Sequence, residues 1–582
     1  MANFFLDNQD IQFLFSHIDM QQLASIQERF AENGDADYAP SDNAEVVDDY
    51  RRIMEITGQV AAETLAPNAE QVDRDGNTLN PDGTVTLHPK VRENLDRLAQ
   101  ADLLGFTVPR KYGGLNCPNL IYTMATEVIA RADASFMNIF GLQGIAETVN
   151  AFASQEIKDE VLPQFAEGEV TGAMVLTEPD AGSDLQSVRL RAHQDENGNW
   201  LLNGVKRFIT NGCGEILLTL ARSEPEMSDG LGLSLFISER CDKIKVRHLE
   251  DKLGIHGSPT CELVYEDAPA RLIGERKRGL ITYVLALMNG ARVGIAAQSL
   301  GIAEAAFRLA RTYAHTRHQF GVPIEQLPAI SEMVIDMQVA IEAARAFTYE
   351  TSRVCDLENN TSRLVEWHAD QLDKAELKSL KKELRQIKRT NGMLTPMSKY
   401  FCSEMCCRVA DNAIQVLGGS GYMKDYAAER HLRDARITTI YEGTSQLQIV
   451  AAIRGLTSGV FDGWAEGYEQ KEYADPLLSE LKQQLMQGRS QLAETIQFAK
   501  QKSPAYTELS ARRLVDGAIT IMTGHLLLDQ AANSDRKKRV AKRFIQSQMP
   551  ILKMNAERVL SGDEMPLEEY SVLAGPVPTN AM

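Results

Sequence analysis

The sequence lacks the features that mark several common protein classes. Its 8 cysteines are scattered through 582 residues, and no Cys or His pairs recur at zinc-ligand spacing, so neither a disulfide scaffold nor a zinc fold is indicated. Only Cys402, Cys406 and Cys407 cluster. With no matching partners they read as buried free thiols, and no metal is expected. Positive charge is in deficit: 61 Lys and Arg against 80 Asp and Glu leave a net charge of −19. That balance argues against general affinity for nucleic acid or anionic membrane, which are both polyanions. The opening "MANFFLDNQDIQFLF" has acidic residues and no basic segment, so it does not read as a secretory signal. The most apolar window, "ITYVLALMNGARVGIAAQ", is broken by Asn289 and Arg292 and is not read as a membrane segment. A cytoplasmic, reduced protein fits these absences.

What is present is an ordinary globular composition, 44% hydrophobic and 24% charged, in a chain long enough for roughly three to four domains. Residues 1–44 read as an N-terminal extension ending in the polar run "AENGDADYAPSDN". From 45 to 170, apolar residues recur at three- and four-residue spacing, as in "VVDDYRRIMEITGQVAAETL", which predicts a helical domain. Between 171 and 275 the pattern shifts to short β-rich runs such as "ILLTLARS", "LSLFIS" and "CELVYEDA", bounded by Asn, Gly and Asp. Helical spacing returns over 276–458 and again in an appended segment, 459–582. Within the third part, "DLENNTSRLVEWHADQLDKAELKSLKKELRQIKR" reads as an exposed helical hairpin or insertion. No short-period repeat is evident. The glycine-rich "GGSGYM" lacks G-x-G-x-x-G spacing and follows a helical segment rather than a strand, so a Rossmann nucleotide site is dismissed.

Several separated motifs carry the functional reading. They are "MVLTEPDAGSD" and "RFITNG" in the β-rich part, then "LMNGAR", "TRHQFG", "QVLGGSGY" and "RITTIYEGTSQLQ" in the helical part. Taken singly, each has an ordinary explanation. Glu442 in the last motif reads as a helix N-terminal acid, "EPDAGSD" as a turn after a strand, and Asn211-Gly212 as a β-hairpin turn. Arg317 alone reads as a solvated helix end. In this order and spacing, the motifs resemble the acyl-CoA dehydrogenase family over about Glu45 to Leu456. "EDKLGIHGSPTCEL" and the extra C-terminal helices resemble its long bacterial branch, which includes 3-methylthiopropanoyl-CoA dehydrogenases.

The resemblance implies an α+β fold: an N-terminal helical domain, a central antiparallel β-barrel or sandwich, and a C-terminal four-helix bundle, here with an appended helical domain. It implies FAD as cofactor and oxidation of an acyl-CoA between its α and β carbons. Such chemistry needs an oriented base for a weakly acidic proton and stabilisation of the thioester oxygen. Glu442 matches the base, and its own backbone N–H with a flavin ribityl hydroxyl would stabilise the oxygen. Shielding by Tyr441, substrate and flavin should raise the carboxylate pKa, while Gly443 permits close backbone approach. The position that carries the base in other branches is Ala291 here.

Met174, Leu176, Thr177, Phe208, Ile209 and Thr210 match positions beside the flavin ring, with the Thr210 hydroxyl expected at flavin N5. Phe208 replaces the usual Trp and loses an indole N–H. Ser183 matches a position near pyrophosphate and substrate. Arg317, Gln319, Phe320, Gln415, Gly418 and Gly419 match contacts to a neighbouring subunit's FAD, implying a homodimer or homotetramer, and Thr444 and Gln446 match further FAD contacts. Arg317 suits diphosphate through its planar donor fork. Asn289, Arg292, Tyr441 and Gly443 match substrate-facing positions, although Arg292 could equally pair with an acid such as Asp434.

Met137 stands where the glutaryl-CoA branch has an arginine for a distal carboxylate. With Phe136 and Phe140, it suggests an apolar short- to medium-chain acyl group or equally plain core packing. The basic run "DRKKRVAKR" reads as a solvated face or subunit contact ahead of DNA binding. The leading expectation is a dehydrogenase that passes electrons to an electron-transferring flavoprotein. The alternatives are an oxygen-using acyl-CoA oxidase and a flavin-retaining DNA-binding protein.

Overall fold

The computed structural model describes residues 2–29 and 31–578. The chain opens with two short helices, α1 (Gln9–His17) and α2 (Met20–Glu28), started by Asn8 and Asp19 as side-chain N-caps. This N-terminal segment is no loose arm. Phe5, Ile11, Leu14 and Leu23 share one core with Tyr50, Met54 and Leu120. Helix α3 (Asn43–Val60) continues through a π-helical stretch, Ala61–Leu65, into α4 (Ala66–Asp75). A small hairpin, β1 (Thr78–Leu79) with β2 (Val85–Thr86), then interrupts the helical region. It was hidden from a periodicity reading because its strands are two residues long. Pro81-Asp82-Gly83 makes its turn: Asp82 accepts the Thr84 N–H, and Gly83 is left-handed at φ 83°.

Helices α5 (Pro89–Ala99), α6 (Asn119–Ala132), α7 (Ala134–Phe140), α8 (Gly144–Phe152) and α9 (Gln155–Glu167) complete this part. Helix α6 is buried on nearly every side, because it is the central member that packs against α3, α10 and α11.

The β part has seven strands: β3 (Gly172–Val175), β4 (Arg191–Gln194), β5 (Trp200–Thr210), β6 (Ile216–Arg222), β7 (Leu233–Glu239), β8 (Ile244–Leu249) and β9 (Thr260–Ile273). Pairing runs β6-β4-β5-β9-β7 and returns from β7 to β6, which closes a barrel; β3 adds to β6 and β8 to β9. Most pairs are antiparallel, but β3–β6 and β4–β6 are parallel. Closure removes open edges that would otherwise invite another chain. The hairpin expected at Asn211-Gly212 is absent: β5 and β6 are consecutive yet unpaired, because β6 is taken by β3, β4 and β7.

The helical bundle follows a π-helical start, Gly279–Val284. It consists of α10 (Leu285–Thr316), α11 (Pro328–Trp367), α12 (Lys374–Leu417), α13 (Gly419–Tyr422), α14 (Ala428–Ile437) and α15 (Ser445–Thr457). A two-residue ribbon, β10 (His318–Gln319) with β11 (Val322–Pro323), links α10 to α11. The helix Gly279–Thr316 is long and apolar enough to cross a membrane, yet it packs here against α6 and α12 at the centre of the bundle. The charged stretch forms the adjoining ends of α11 and α12, a helical hairpin. It is not all solvated, since Asp356 is buried and accepts the Asn119 and Leu120 N–H groups at the start of α6.

The appended part comprises α16 (Val460–Glu469), α17 (Pro476–Lys502), α18 (Pro504–Ala531) and α19 (Asp535–Leu560). Its apolar residues join those of α11, α12 and α15 in one core. The basic run lies on α19 and is largely matched by acids. Arg543 pairs with Asp336 and Glu332, Lys538 with Asp475, and Arg536 and Lys537 with Glu342.

Arg345, on α11 and wholly buried, joins these parts. It donates to Glu127 on α6 (2.6 Å), Asp10 on α1 (2.7 Å) and Glu304 on α10 (2.8 Å). Asp10 also meets Lys537 of α19. An Arg345→Met variant strands three buried carboxylates, so we expect a loss of about 3–5 kcal/mol of stability. It would be read as a Tm lowered by several degrees and a shift in denaturant midpoint.

Candidate active site

Two walls, one from the barrel and one from the bundle, face a shared cavity of about 540 Å³. The barrel wall is made where β3 ends and β5 is bulged. The β5–β9 register slips between Lys206 and Ile209, and Phe208 there takes a left-handed φ of 61°. A bulge bends its strand and re-aims the side chain, and Phe208 is accordingly 52% exposed. The β3 exit is tied to this bulge twice: the Arg207 N–H donates to the Thr177 carbonyl (2.9 Å), and Lys206 Nζ donates to the Leu176 carbonyl (2.7 Å). Lys206 also meets Glu178 Oε1 at 3.1 Å. Burial pulls its pKa down to about 8, and Glu178 opposes that shift. Glu178 in turn accepts the N–H groups of Arg189 and Leu190, each at 2.8 Å. Met174, Leu176, Thr177, Phe208, Ile209 and Thr210 all line the cavity as a result.

The bundle wall is the turn between α14 and α15. Glu442 (φ 55°) and Gly443 (φ 92°) are successive left-handed residues, a conformation that costs a non-glycine residue about 1 kcal/mol or more. Neighbouring groups hold it. Lys399 of α12 donates from Nζ to the Gly443 carbonyl (2.8 Å), and Gln448 Nε2 donates to the carbonyls of Glu442 (3.1 Å) and Gly443 (3.0 Å). At φ 92° a side chain at 443 would be strained, and its Cβ would displace Gln448 Nε2 from 2.6 Å away, so glycine is favoured there. The Tyr441 hydroxyl reaches Gln298 on α10 and, at 3.2 Å, Asn138 on α7.

Tyr441, Glu442 and Gly443 line the cavity, with Asn289 and Ala291 of α10 beside them. Burial pushes the Glu442 carboxyl up, while the charges of Arg292 and Lys399 pull against it. Lys399 is drawn down to about 8 by its own burial, opposed by Glu442. Arg292 donates to Asn289 Oδ1 (3.1 Å). The alternative pairing of Arg292 with Asp434 is not made; Asp434 instead accepts the Ile255 N–H at 2.6 Å.

Other expected residues lie at the margins. Ser183 is exposed, flanked by the lining residues Gly182 and Leu185. Thr444 caps α15 by accepting the Leu447 N–H, and Gln446 is exposed on the same helix. Arg317, Gln319 and Phe320 sit on the exposed ribbon after α10, and Gln415, Gly418 and Gly419 are exposed at the end of α12. These two groups share one end of the bundle, where Tyr313 of α10 donates to Ser420 Oγ (3.2 Å) and stacks edge-on against Tyr426. None of the six lines the cavity. Of the three residues expected at the acyl pocket, only Met137 lines it, while Phe136 and Phe140 are core side chains.

Lys399, Lys206, Gln298 and Asn138 were not anticipated. A signal existed for the two lysines. Lys399 falls in the buried stripe of α12 with Cys402, Ser403 and Cys406, and Lys206 falls on the inward side of β5 in step with Leu202.

The chain matches family models for acyl-CoA dehydrogenase N-terminal (48–169), middle (173–268) and C-terminal (278–457) domains, and one described as acyl-CoA dehydrogenase 11 C-terminal domain-like (468–572). The chain belongs to the acyl-CoA dehydrogenase family. It is 37% identical over 372 residues to an acyl-CoA dehydrogenase of Bacillus subtilis, covering 63% of this chain and 89% of that one. It is 31% identical over 433 residues to 3-methylmercaptopropionyl-CoA dehydrogenase of Ruegeria pomeroyi, covering 69% of each.

Among solved structures, a Bacillus anthracis acyl-CoA dehydrogenase complexed with FAD matches in fold over 94% of both chains, at 24% identity and a TM-score of 0.73. That match includes the appended helices. A structure described as the electron transferring flavoprotein of Acidaminococcus fermentans, in work on flavin-based electron bifurcation, matches at 30% identity and a TM-score of 0.60. It covers 72% of this chain and 99% of that one. The protein is therefore an oxidoreductase of the acyl-CoA dehydrogenase family, and FAD is its cofactor.

The residues present suit that group. Phe208 offers an exposed apolar ring on the barrel wall, and at Gly321, Gly418 and Gly419 a built Cβ meets nothing within 4 Å, so backbone there is open to a ligand. A Lys206→Met variant removes one of the two ties between the β3 exit and the bulge, and we expect FAD affinity to fall about tenfold. The flavin-to-protein absorbance ratio after dialysis measures it.

Proposed function

We propose that this family member oxidises an acyl-CoA thioester to the trans-2-enoyl-CoA, with Glu442 taking the α proton. The supporting observation is that its carboxylate lies on the cavity wall contributed by the bundle, in the same cavity as the bulged barrel wall, with two cations acting on it. Burial raises its pKa, which brings a carboxylate nearer to the weakly acidic carbon it must deprotonate. The charges of Arg292 and Lys399 oppose that rise and favour the ionised form that a base must have. Ala291 has no proton acceptor and leaves Glu442 without a rival on that part of α10.

The left-handed turn fixes where the carboxylate points, and Lys399 and Gln448 occupy its carbonyls. The Glu442 N–H is assigned to the thioester oxygen as it gains charge. FAD, when bound, supplies the acceptor for the β hydride. Met174, Leu176, Thr177, Phe208, Ile209 and Thr210 would hold its ring, with Ser183, Thr444 and Gln446 toward the rest of the cofactor. Asn289, Arg292, Tyr441 and Gly443 would border the thioester and its CoA arm.

Arg317, Gln319, Phe320, Gln415, Gly418 and Gly419 would serve the cofactor of a second copy. Phe320 is 91% exposed in the single chain and Tyr422 76%, apolar surface that a homodimer or homotetramer would cover. The electron acceptor is assigned as an electron-transferring flavoprotein, on the likeness to the Acidaminococcus structure. The eight cysteines are all free, consistent with a reducing, cytoplasmic setting.

Anaerobic addition of acyl-CoA thioesters to the yellow protein tests the reaction: the flavin band should bleach. A Glu442→Gln variant should keep its flavin and lose about 10²–10⁴-fold in the rate of bleaching. Bleaching at the wild-type rate would remove Glu442 from the mechanism. In a Lys399→Met variant the base loses a nearby cation. Its pKa therefore rises further, and the acid limb of the kcat/KM profile should move to higher pH, with the Lys399→Arg variant moving less. Turnover with the flavoprotein acceptor should exceed peroxide formation in air.

A further inference from the structure

The cavity does not end at the apolar residues beside Glu442. Past Met137, Leu287 and Val293 it continues between α6, α8 and α11 into a lobe of different chemistry. Thr123 and Ser352 line it with their hydroxyls 2.8 Å apart, and Cys355 and Asn391 line it beside them. Glu147 on α8 and Arg363 on α11 also face it; burial raises the Glu147 carboxyl and lowers the Arg363 guanidinium, and each group's charge opposes the other's shift. At the outer end Lys388 and Glu366 form an exposed ion pair (3.8 Å). Two glycines stand on the lining between the lobes. At Gly144 a Cβ would meet only Leu287 Cδ1, at 3.7 Å, and at Gly141 only the flexible end of Met137, so no side chain from these two positions occupies the lining there.

We propose that this distal lobe receives the end of the acyl chain and selects thioesters whose chain terminates in an uncharged hydrogen-bonding group, such as a hydroxyl. This rests on the acyl-CoA reading above and deepens it. A plain methyl terminus would displace water from hydroxyls and charged groups and offer them nothing in return. A terminal carboxylate would add negative charge beside Glu147 and near Asp356 and Glu358. A terminal ammonium would lie with Arg363 and Lys388. The lining acids Glu147, Glu358 and Glu366 repel an anion and the lining cations Arg363 and Lys388 crowd an ammonium, whereas a neutral donor and acceptor can hydrogen-bond to both sets. The apolar section beside Met137 takes the methylenes that precede it.

The test uses the FAD-loaded enzyme and three thioesters of equal medium chain length: alkyl, terminal hydroxyl and terminal carboxylate. Within one preparation, kcat/KM for the hydroxyl compound should exceed that for the alkyl compound by about tenfold, the worth of one or two net hydrogen bonds. A Thr123→Val/Ser352→Ala double variant should bring that ratio toward one, and because the ratio is internal to each preparation, partial misfolding does not alter it. An equal or reversed ratio in the wild type overturns the proposal, and so does a preference for the carboxylate. If no thioester bleaches the flavin, the acyl-CoA reading fails instead, so the two failures are distinct.

Discussion

The buried guanidinium of Arg345 is the interaction on which the assembly turns. It cannot sit in the interior without matched acids, and those acids come from three different helices: Asp10 on α1, Glu127 on α6 and Glu304 on α10. Burial disfavours every charge in the set, and the carboxylates hold the arginine's proton well above its usual range. Such a cluster is a weak source of net stability compared with a packed apolar core, but it tolerates few alternative arrangements. Because α10 carries Arg292, and α12, which packs on α10 and α11, carries Lys399, fixing the helices around Arg345 also steadies the frame in which the site is built.

The site itself is a junction rather than a property of one domain. The barrel contributes a wall whose shape depends on one irregularity in β5, and the bundle contributes a turn with two consecutive left-handed residues. Neither conformation is favourable alone. Each is held by a buried lysine that donates to backbone carbonyls, Lys206 on the barrel side and Lys399 on the bundle side. An amine can satisfy a carbonyl and carry charge at once, so each lysine both fixes local backbone and sets the electrostatics of its wall.

Much of this could be read from the sequence, for physical reasons. Period changes marked the helical, β and helical regions because burial on one face imposes a period near 3.6 on helices and 2 on strands. The motif around Glu442 was legible only in company: alone it reads as a helix N-terminal acid, and its role came from the resemblance carried by several motifs in one order. What stayed hidden depends on long-range contact. The N-terminal helices looked peripheral because Asp10 finds its partners more than 300 residues away. The Asn211-Gly212 pair mimicked a hairpin turn, yet strand partners are chosen by barrel closure, which no local pattern encodes. The polar lobe also escaped notice, since Glu147, Thr123, Ser352 and Arg363 come from three helices and each sits in an unremarkable local context.

The contact between Asp10 and Lys537 sets a condition on biosynthesis. Asp10 leaves the ribosome more than 500 residues ahead of Lys537, so its helix waits through the synthesis of everything between them for one of its counter-charges. During that interval a nascent chain holds an acid meant for the interior with part of its neutralisation missing. The early helices can therefore dock only provisionally until the tail emerges, and a chain that stops short of α19 would lack the lysine that completes the beginning.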